Sequence, residues 1–376
     1  MDASIDRVLA TFLDLVRIDS PSQREGEVAA YCIRELEALG FDVRVDDSAR
    51  VTGSNTGNVI ATLPGNRTDA PILVLSAHMD CVQPCEGVEP VVEGGVVRSA
   101  GDTVLGGDDK VGVAAILEAA RRLIESGAHR PALRVVLTVA EETGLTGAKA
   151  LDPRDATGDA CLVLDADGEP GGIIISAPTH YTFEATFIGR ASHAGVAPEQ
   201  GRSAIAMASA AVCRMELGRL DDKTTANIGS LIANGATNVV TARAVMTGEC
   251  RSRDVGRVEQ VREVMDAAMR DAAVAHDGQV DVTWTREYAG FDLGEDSPLV
   301  RLACDACRDA GLIPRLESTG GGSDGNIFSA AGVPTLVLSC GMNEVHGTDE
   351  SVAIADLRSL VALVEAFARR MTGFPQ

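Results

Sequence analysis

The sequence predicts an α/β protein: a main domain with a mixed, mostly parallel sheet and helices on both faces, plus a smaller inserted α+β domain. Three observations predict it. Short apolar runs bounded by turn residues alternate with helical periodicity up to about residue 176. From Ala177 the texture changes to longer alternating strands among helices, and after Pro298 the first pattern resumes. At 376 residues the chain also exceeds what one core comfortably fills. The main domain is therefore drawn at 1–176 and 289–376, and the insert at 177–288.

Residues 5 to 40 carry helical periodicity through Val8, Leu9, Phe12, Leu13 and Val16, then Val28, Tyr31, Cys32, Leu36 and Leu39. Ser20-Pro21-Ser22 separates two helices, and Gly40 closes the second. Asn58 to Pro64 and Pro71 to Ala77 read as buried strands, which puts His78 and Asp80 at a strand's C-terminal end. A glycine-rich stretch precedes the helix at Val111 to Ala120. Leu133 to Ala140 is a strand ending at Glu141-Glu142, and Cys161 to Leu164 is another ending at Asp165. Open α/β sheets bind ligands at that edge, so three such ends in succession argue for one shared site. The insert reads as β-α-β-β-α-β: a strand at Tyr181 to Phe187, a helix near Ala204 to Leu217, strands at Thr241 to Cys250 and Val280 to Trp284, and a helix from Val255 to His276. Val333 to Leu338 returns to the main sheet, and a last helix ends near Arg370.

Composition narrows the function classes. The net charge of -22 repels phosphate backbones, which argues against nucleic-acid partners. The opening Met1-Asp2-Ala3-Ser4-Ile5-Asp6-Arg7 is acidic where a secretory signal is basic, and no apolar run approaches a membrane span of about 20 residues. A cytoplasmic protein with no membrane partner is expected. Nine scattered cysteines favour reduced thiols, and Cys304 and Cys307 lie in a helical pattern as small core residues.

The metal-binding residue types occur in order along the chain: His78-Met79-Asp80, Asp108, Glu141-Glu142, Asp165 and His346. Imidazole and carboxylate without thiolate suit Zn²⁺, Co²⁺ or Mn²⁺, and this many carboxylates suggest two ions with room for a hydrolytic water. Two of only six histidines fall in the set. Asp80, two residues after His78, is placed to orient its imidazole from behind. Gly107-Asp108-Asp109-Lys110 lacks the Gly-Lys-Ser/Thr of a phosphate loop, and its aspartates would repel phosphate. Of the adjacent Glu141 and Glu142, one can ligate while the other takes a proton from water. Leu164-Asp165-Ala166-Asp167 offers two aspartates as the fifth ligand; Asp165 comes first after the strand, with Asp167 in reserve.

These residues resemble the M20 metallopeptidase family, in its peptidase T-like branch. The resemblance is carried by His78-Met79-Asp80, Gly107 to Lys110, Glu141 to Gly144, Gly189 to Gly195, Gly321-Gly322-Ser323-Asp324 and Val345-His346, and it covers nearly the whole chain. It implies that His78 and Asp165 complete one metal, Glu142 and His346 the other, with Asp108 bridging and Glu141 as general base. It further implies that His193, on a lid that also dimerises, polarises the scissile carbonyl, and that Asn238, Arg251, Gly322 and Ser323 hold the substrate. The expected activity is hydrolysis of an amide in small peptides, of aminopeptidase or di- or tripeptidase type, by a metal-bridging hydroxide. Deacylation of N-acyl amino acids is the alternative on the same scaffold, and a non-catalytic peptide- or metal-binding protein is the alternative of another class. Gly320 stands where tripeptidase relatives carry Arg, a departure from the pattern at the position that bears on tripeptide specificity.

Overall fold

The computed structural model describes residues 3–373. Met1 and Asp2, which open the acidic stretch discussed above, lie outside the described residues. The chain divides into two compact units, one of Met1–Ser176, Leu293–Ser318 and Ser323–Gln376, the other of Ala177–Asp292 and Thr319–Gly322.

In the first unit the main sheet runs, strand by neighbouring strand, Asp42–Val45, Val59–Leu63, Ala132–Thr138, Ile72–His78, Ala160–Ala166, Thr335–Ser339 and Gly172–Ala177, with Arg315–Ser318 beside the last. The four central strands, from Ala132–Thr138 to Thr335–Ser339, are parallel to one another, and the strands outside them bring in antiparallel pairings. Both faces are apolar because both are covered. Leu73, Leu75, Ala77, Leu133, Val135, Leu137, Leu162 and Leu164 point into one large core with the helices Ala3–Val16, Gly107–Glu125, Pro298–Asp309 and Ile354–Met371. The alternate residues Val74, Ser76, Val136, Cys161, Val163 and Val337 are buried on the other face. There the helix Asp324–Ala330 approaches so closely that a Cβ on Gly325 would lie 2.8 Å from Val337.

A small antiparallel sheet was not foreseen from the sequence. It joins Met342–Asn343, Ser351–Ala353, Val96–Ser99 and Pro90–Glu93, the last two turning at Gly94-Gly95, both at positive φ. Its strands are at most four residues long, too short for periodicity to register.

In the second unit the sheet order is Gly218–Asp221, Thr224–Ile232, Arg243–Ser252, Thr179–Ile188, Gln279–Tyr288, all antiparallel. Phe183, Ala185, Phe187, Met246 and Cys250 face a core shared with the helices Ala204–Val212 and Val255–Ala275. The short edge strand Gly218–Asp221 adds one strand to the expected order. All nine cysteines are free, and no described helix is long and apolar enough to cross a membrane.

Candidate metal centre

Strand order explains why residues far apart in sequence meet. The four parallel neighbours end at the same edge, so His78, Glu141 and Glu142 three and four residues past Thr138, and Asp165 near the end of its strand arrive side by side. His346 follows the fourth of these strands, in a turn where it holds φ +63°. Asp108 leads the helix Gly107–Glu125 with φ -79° and ψ 105°, outside helical values, and its side chain is thereby turned out of the helical register. Gly112 allows that helix to sit against the strand below: a Cβ there would lie 2.4 Å from the Leu164 carbonyl oxygen.

Asp108 is the common neighbour. Its Oδ1 lies 3.0 Å from His78 Nε2, and its Oδ2 lies 3.2 Å from His346 Nε2. Asp165 Oδ1 is 3.6 Å from the same His78 nitrogen, and Glu142 Oε1 is 3.3 Å from the same His346 nitrogen. Two ligand triads result, His78/Asp108/Asp165 and Asp108/Glu142/His346, each with donor atoms within 4.8 Å of one another. Glu141 joins a third group with His78 and Glu142. Asp167 is exposed and belongs to none of them.

The backbone beneath these side chains is held by further carboxylates. His78 Nδ1 lies 2.9 Å from the backbone carbonyl oxygen of Asp80 and 3.4 Å from its carboxylate, so the carbonyl is the nearer partner of the ring. The carboxylate instead accepts from the amides of Glu141 and Glu142 at 3.0 and 3.3 Å, and from Ser22 Oγ at 2.6 Å. The fully buried Asp109 accepts from the His78 and Gly112 amides, and the buried Glu350 accepts from those of Gly106 and Asp108. Sequence reasoning passed over Glu350 because nothing near it in the chain distinguishes it from any other loop acid.

With Nδ1–H donated to a carbonyl, His78 presents the lone pair of Nε2 to two carboxylates in a buried place. That arrangement demands either a proton or a cation between them. Burial alone would depress His78, but its hydrogen bonds to Asp108, Asp165 and Asp80 raise it well above its ordinary value. Burial pushes Asp108 up, yet hydrogen bonds from His346 and His78 outweigh it and hold Asp108 low. Burial, aided by the charge of Asp108, leaves Asp165 raised to about 7. Burial and then Asp165 raise Glu141 and Asp109 well above the carboxylate range. Asp324, buried beneath Thr138, is raised to about 6 by burial, and its Oδ1 has no hydrogen-bond partner. Glu142 Oε1 is likewise buried, with His346 Nε2 at 3.3 Å as its polar neighbour. Too many acceptors share too few protons, and the donors are imidazole nitrogen and carboxylate oxygen; the set fits divalent cations.

Within the second unit, exposed His193 bridges to Val239, and Ala194 N donates to the Asn238 carbonyl at 2.8 Å, which sets His193 beside Asn238. Arg251 pairs with Glu249 at 2.6 Å, and Glu249 also meets His180 Nε2 at 2.8 Å. Gly322 lies against Tyr288, whose ring stacks near His180. Ser323, in the first unit, is 8% exposed and caps the helix Asp324–Ala330: its Oγ accepts from Gly325 N while its own amide donates to Asn326.

The pattern of Peptidase family M20/M25/M40 matches residues 74–370. Uncharacterized protein YqjE of Bacillus subtilis is 39% identical over 368 residues, covering 96% of this chain and 99% of its own. Among solved structures, aminopeptidase PepT from Bacillus cereus superposes with a TM-score of 0.92 at 36% identity, covering 98% of each chain. A tripeptidase from Staphylococcus aureus gives 0.94 at 34% identity, over 98% of this chain and 99% of its own.

Proposed function

Since the chain belongs to the M20/M25/M40 peptidase family, in its peptidase T-like branch, and is a hydrolase of peptidase type, we propose that it cleaves an amide bond in small peptides with a free amino terminus. His78, Asp108 and Asp165 hold one divalent ion, and Asp108, Glu142 and His346 a second, with zinc the best match to the donor set and cobalt or manganese able to replace it. Ions held there supply Lewis-acid activation of water and of the scissile carbonyl.

The chain's own residues do the rest. Glu141 takes the proton of the attacking water and returns it to the leaving amine. Burial and the charge of Asp165 raise its carboxyl above the ordinary carboxylate range. Asp80 holds the Glu141 and Glu142 amides and the His78 ring. The unit from Ala177 to Asp292 is proposed as a lid and dimerisation domain, in which His193 is the residue proposed to polarise the carbonyl and Asn238 and Arg251 are proposed substrate contacts. The nine free thiols favour a cytoplasmic setting.

The observation that carries this reading is the position of Asp108, within 3.2 Å of both histidines while its neighbours Glu142 and Asp165 complete a triad on either side. The test is a panel of dialanine, trialanine and N-acetyl amino acids given to zinc-loaded wild type and Glu141→Gln. Peptide cleavage by the wild type and its loss in the variant are expected. Cleavage of the N-acetyl compounds alone would turn the reading to deacylation, and cleavage of nothing would turn it to a binding protein.

A further inference from the structure

We propose that the segment Ser20–Glu25 is a clasp that positions the Glu141–Glu142 turn, with Glu25 as its principal positioning residue. The inference rests on reading Glu141 as the base and Glu142 as a ligand. The strand ends at Thr138, so the next amides have no neighbouring strand to donate to. Four in succession instead find side-chain acceptors: Val139 N donates to Asn58 Oδ1 at 3.0 Å, Ala140 N to Glu25 Oε1 at 2.9 Å, Glu141 N to Asp80 Oδ1 at 3.0 Å and Glu142 N to Asp80 Oδ2 at 3.3 Å.

Glu25 is wholly buried. Besides Ala140 N it accepts from the Gln23 amide at 2.9 Å and from Ser54 Oγ, so both of its oxygens are fixed. Its hold falls on Ala140, which adopts φ +52°, a left-handed conformation disfavoured for a residue with a Cβ. That residue sets the direction in which Glu141 and Glu142 leave the strand. The rest of the segment grips the other half of the site: Ser22 Oγ donates to Asp80, Cys81 N donates to the Ser20 carbonyl at 2.9 Å, and Pro21 bridges to Cys81. One six-residue stretch thus ties the turn bearing His78 and Asp80 to the turn bearing Glu141 and Glu142. Burying a carboxylate is costly, and Glu25 offsets that cost with two amides and a hydroxyl, which fixes the geometry of the turn it holds.

The experiment compares Glu25→Ala, Glu25→Gln and Glu141→Gln with wild type, each reconstituted with cobalt. It measures the visible absorption of the bound cobalt, kcat and KM for trialanine, and the thermal midpoint of the metal-free protein. Loss of an outer contact of this kind typically costs about 10–100-fold in metal affinity or activity, so Glu25→Ala should lose kcat on that scale with KM within about twofold and an altered cobalt spectrum. Glu25→Gln keeps an oxygen for Ala140 N and should recover most of the loss. A folded Glu25→Ala with wild-type kcat and spectrum overturns the clasp, as does a loss that tracks only the unfolded fraction. If Glu25→Ala does not fold, Ser54→Ala and Ser22→Ala decide: a spectral shift with lowered kcat in either supports the clasp, and wild-type behaviour in both overturns it. An active Glu141→Gln overturns the reading on which the clasp rests, whereas an inactive Glu141→Gln beside an unimpaired Glu25→Ala overturns the clasp alone.

Discussion

Glu141 and Glu142 are chemically identical and adjacent, so the different roles proposed for them rest on surroundings alone. Glu142 lies 3.3 Å from His346 and shares a ligand triad with Asp108, while Glu141 is outside both triads that contain Asp108. Burial and the charge of Asp165 raise Glu141 above the ordinary carboxylate range, and the proposed reading makes it the proton acceptor. Glu141→Gln keeps the shape and removes the base, so metal content should stay at the wild-type level while kcat falls by about 10²–10⁴-fold. Metal analysis beside a trialanine assay checks it, and loss of metal would reassign Glu141 as a ligand. At this scale the ligand types were legible in the sequence because histidines are few and the carboxylates sit at strand ends. The supporting acceptors were not: Glu25 and Ala140 lie 115 residues apart, and nothing local marks either.

The element on which most geometry depends is the helix Gly107–Glu125. Its first residues carry Asp108 and Asp109, and it runs close over the strand that ends in Asp165. A methyl group on Gly112 would meet the Leu164 carbonyl at 2.4 Å and Asp109 Oδ1 at 2.5 Å. Gly112→Ala should therefore cost about 1–3 kcal/mol through overpacking, and should weaken zinc binding because Asp108 and Asp165 move apart. Denaturant melts with and without zinc measure both parts; a variant with wild-type zinc affinity would separate the helix position from the site. The central strands were readable before the structure because burial on both faces makes them continuous apolar runs bounded by turns. The short hairpin at Pro90–Ser99 and the edge strand Gly218–Asp221 were not, because strands of four residues with at most one buried side chain carry no such signature.

Across the molecule, proton and metal binding compete for the same groups. Without metal, His346 rises from 6.5 to about 10, chiefly through hydrogen bonds to Asp108 and Glu142, and Asp165 rises from 3.8 to about 7, chiefly through burial. Both bind protons more tightly folded than unfolded, so the fold loses stability as pH rises. The His346 contribution is whole below 6.5 and is gone above about 10; Asp165 costs progressively more from 3.8 to about 7. Zinc held by these groups would displace those protons, so its stabilising effect should grow over the same range. The thermal midpoint of metal-free protein is expected to fall between about pH 6 and pH 9 while the gap to the zinc-loaded protein widens; a constant gap would mean that these groups do not bind the metal. The sharing of Asp108 is what makes one site of two triads, and counting metal per chain in zinc-reconstituted wild type, His346→Ala and Asp108→Ala tests it most directly. The expected values are about two, about one and fewer than one. An Asp108→Ala protein that still holds two zinc ions would contradict the account.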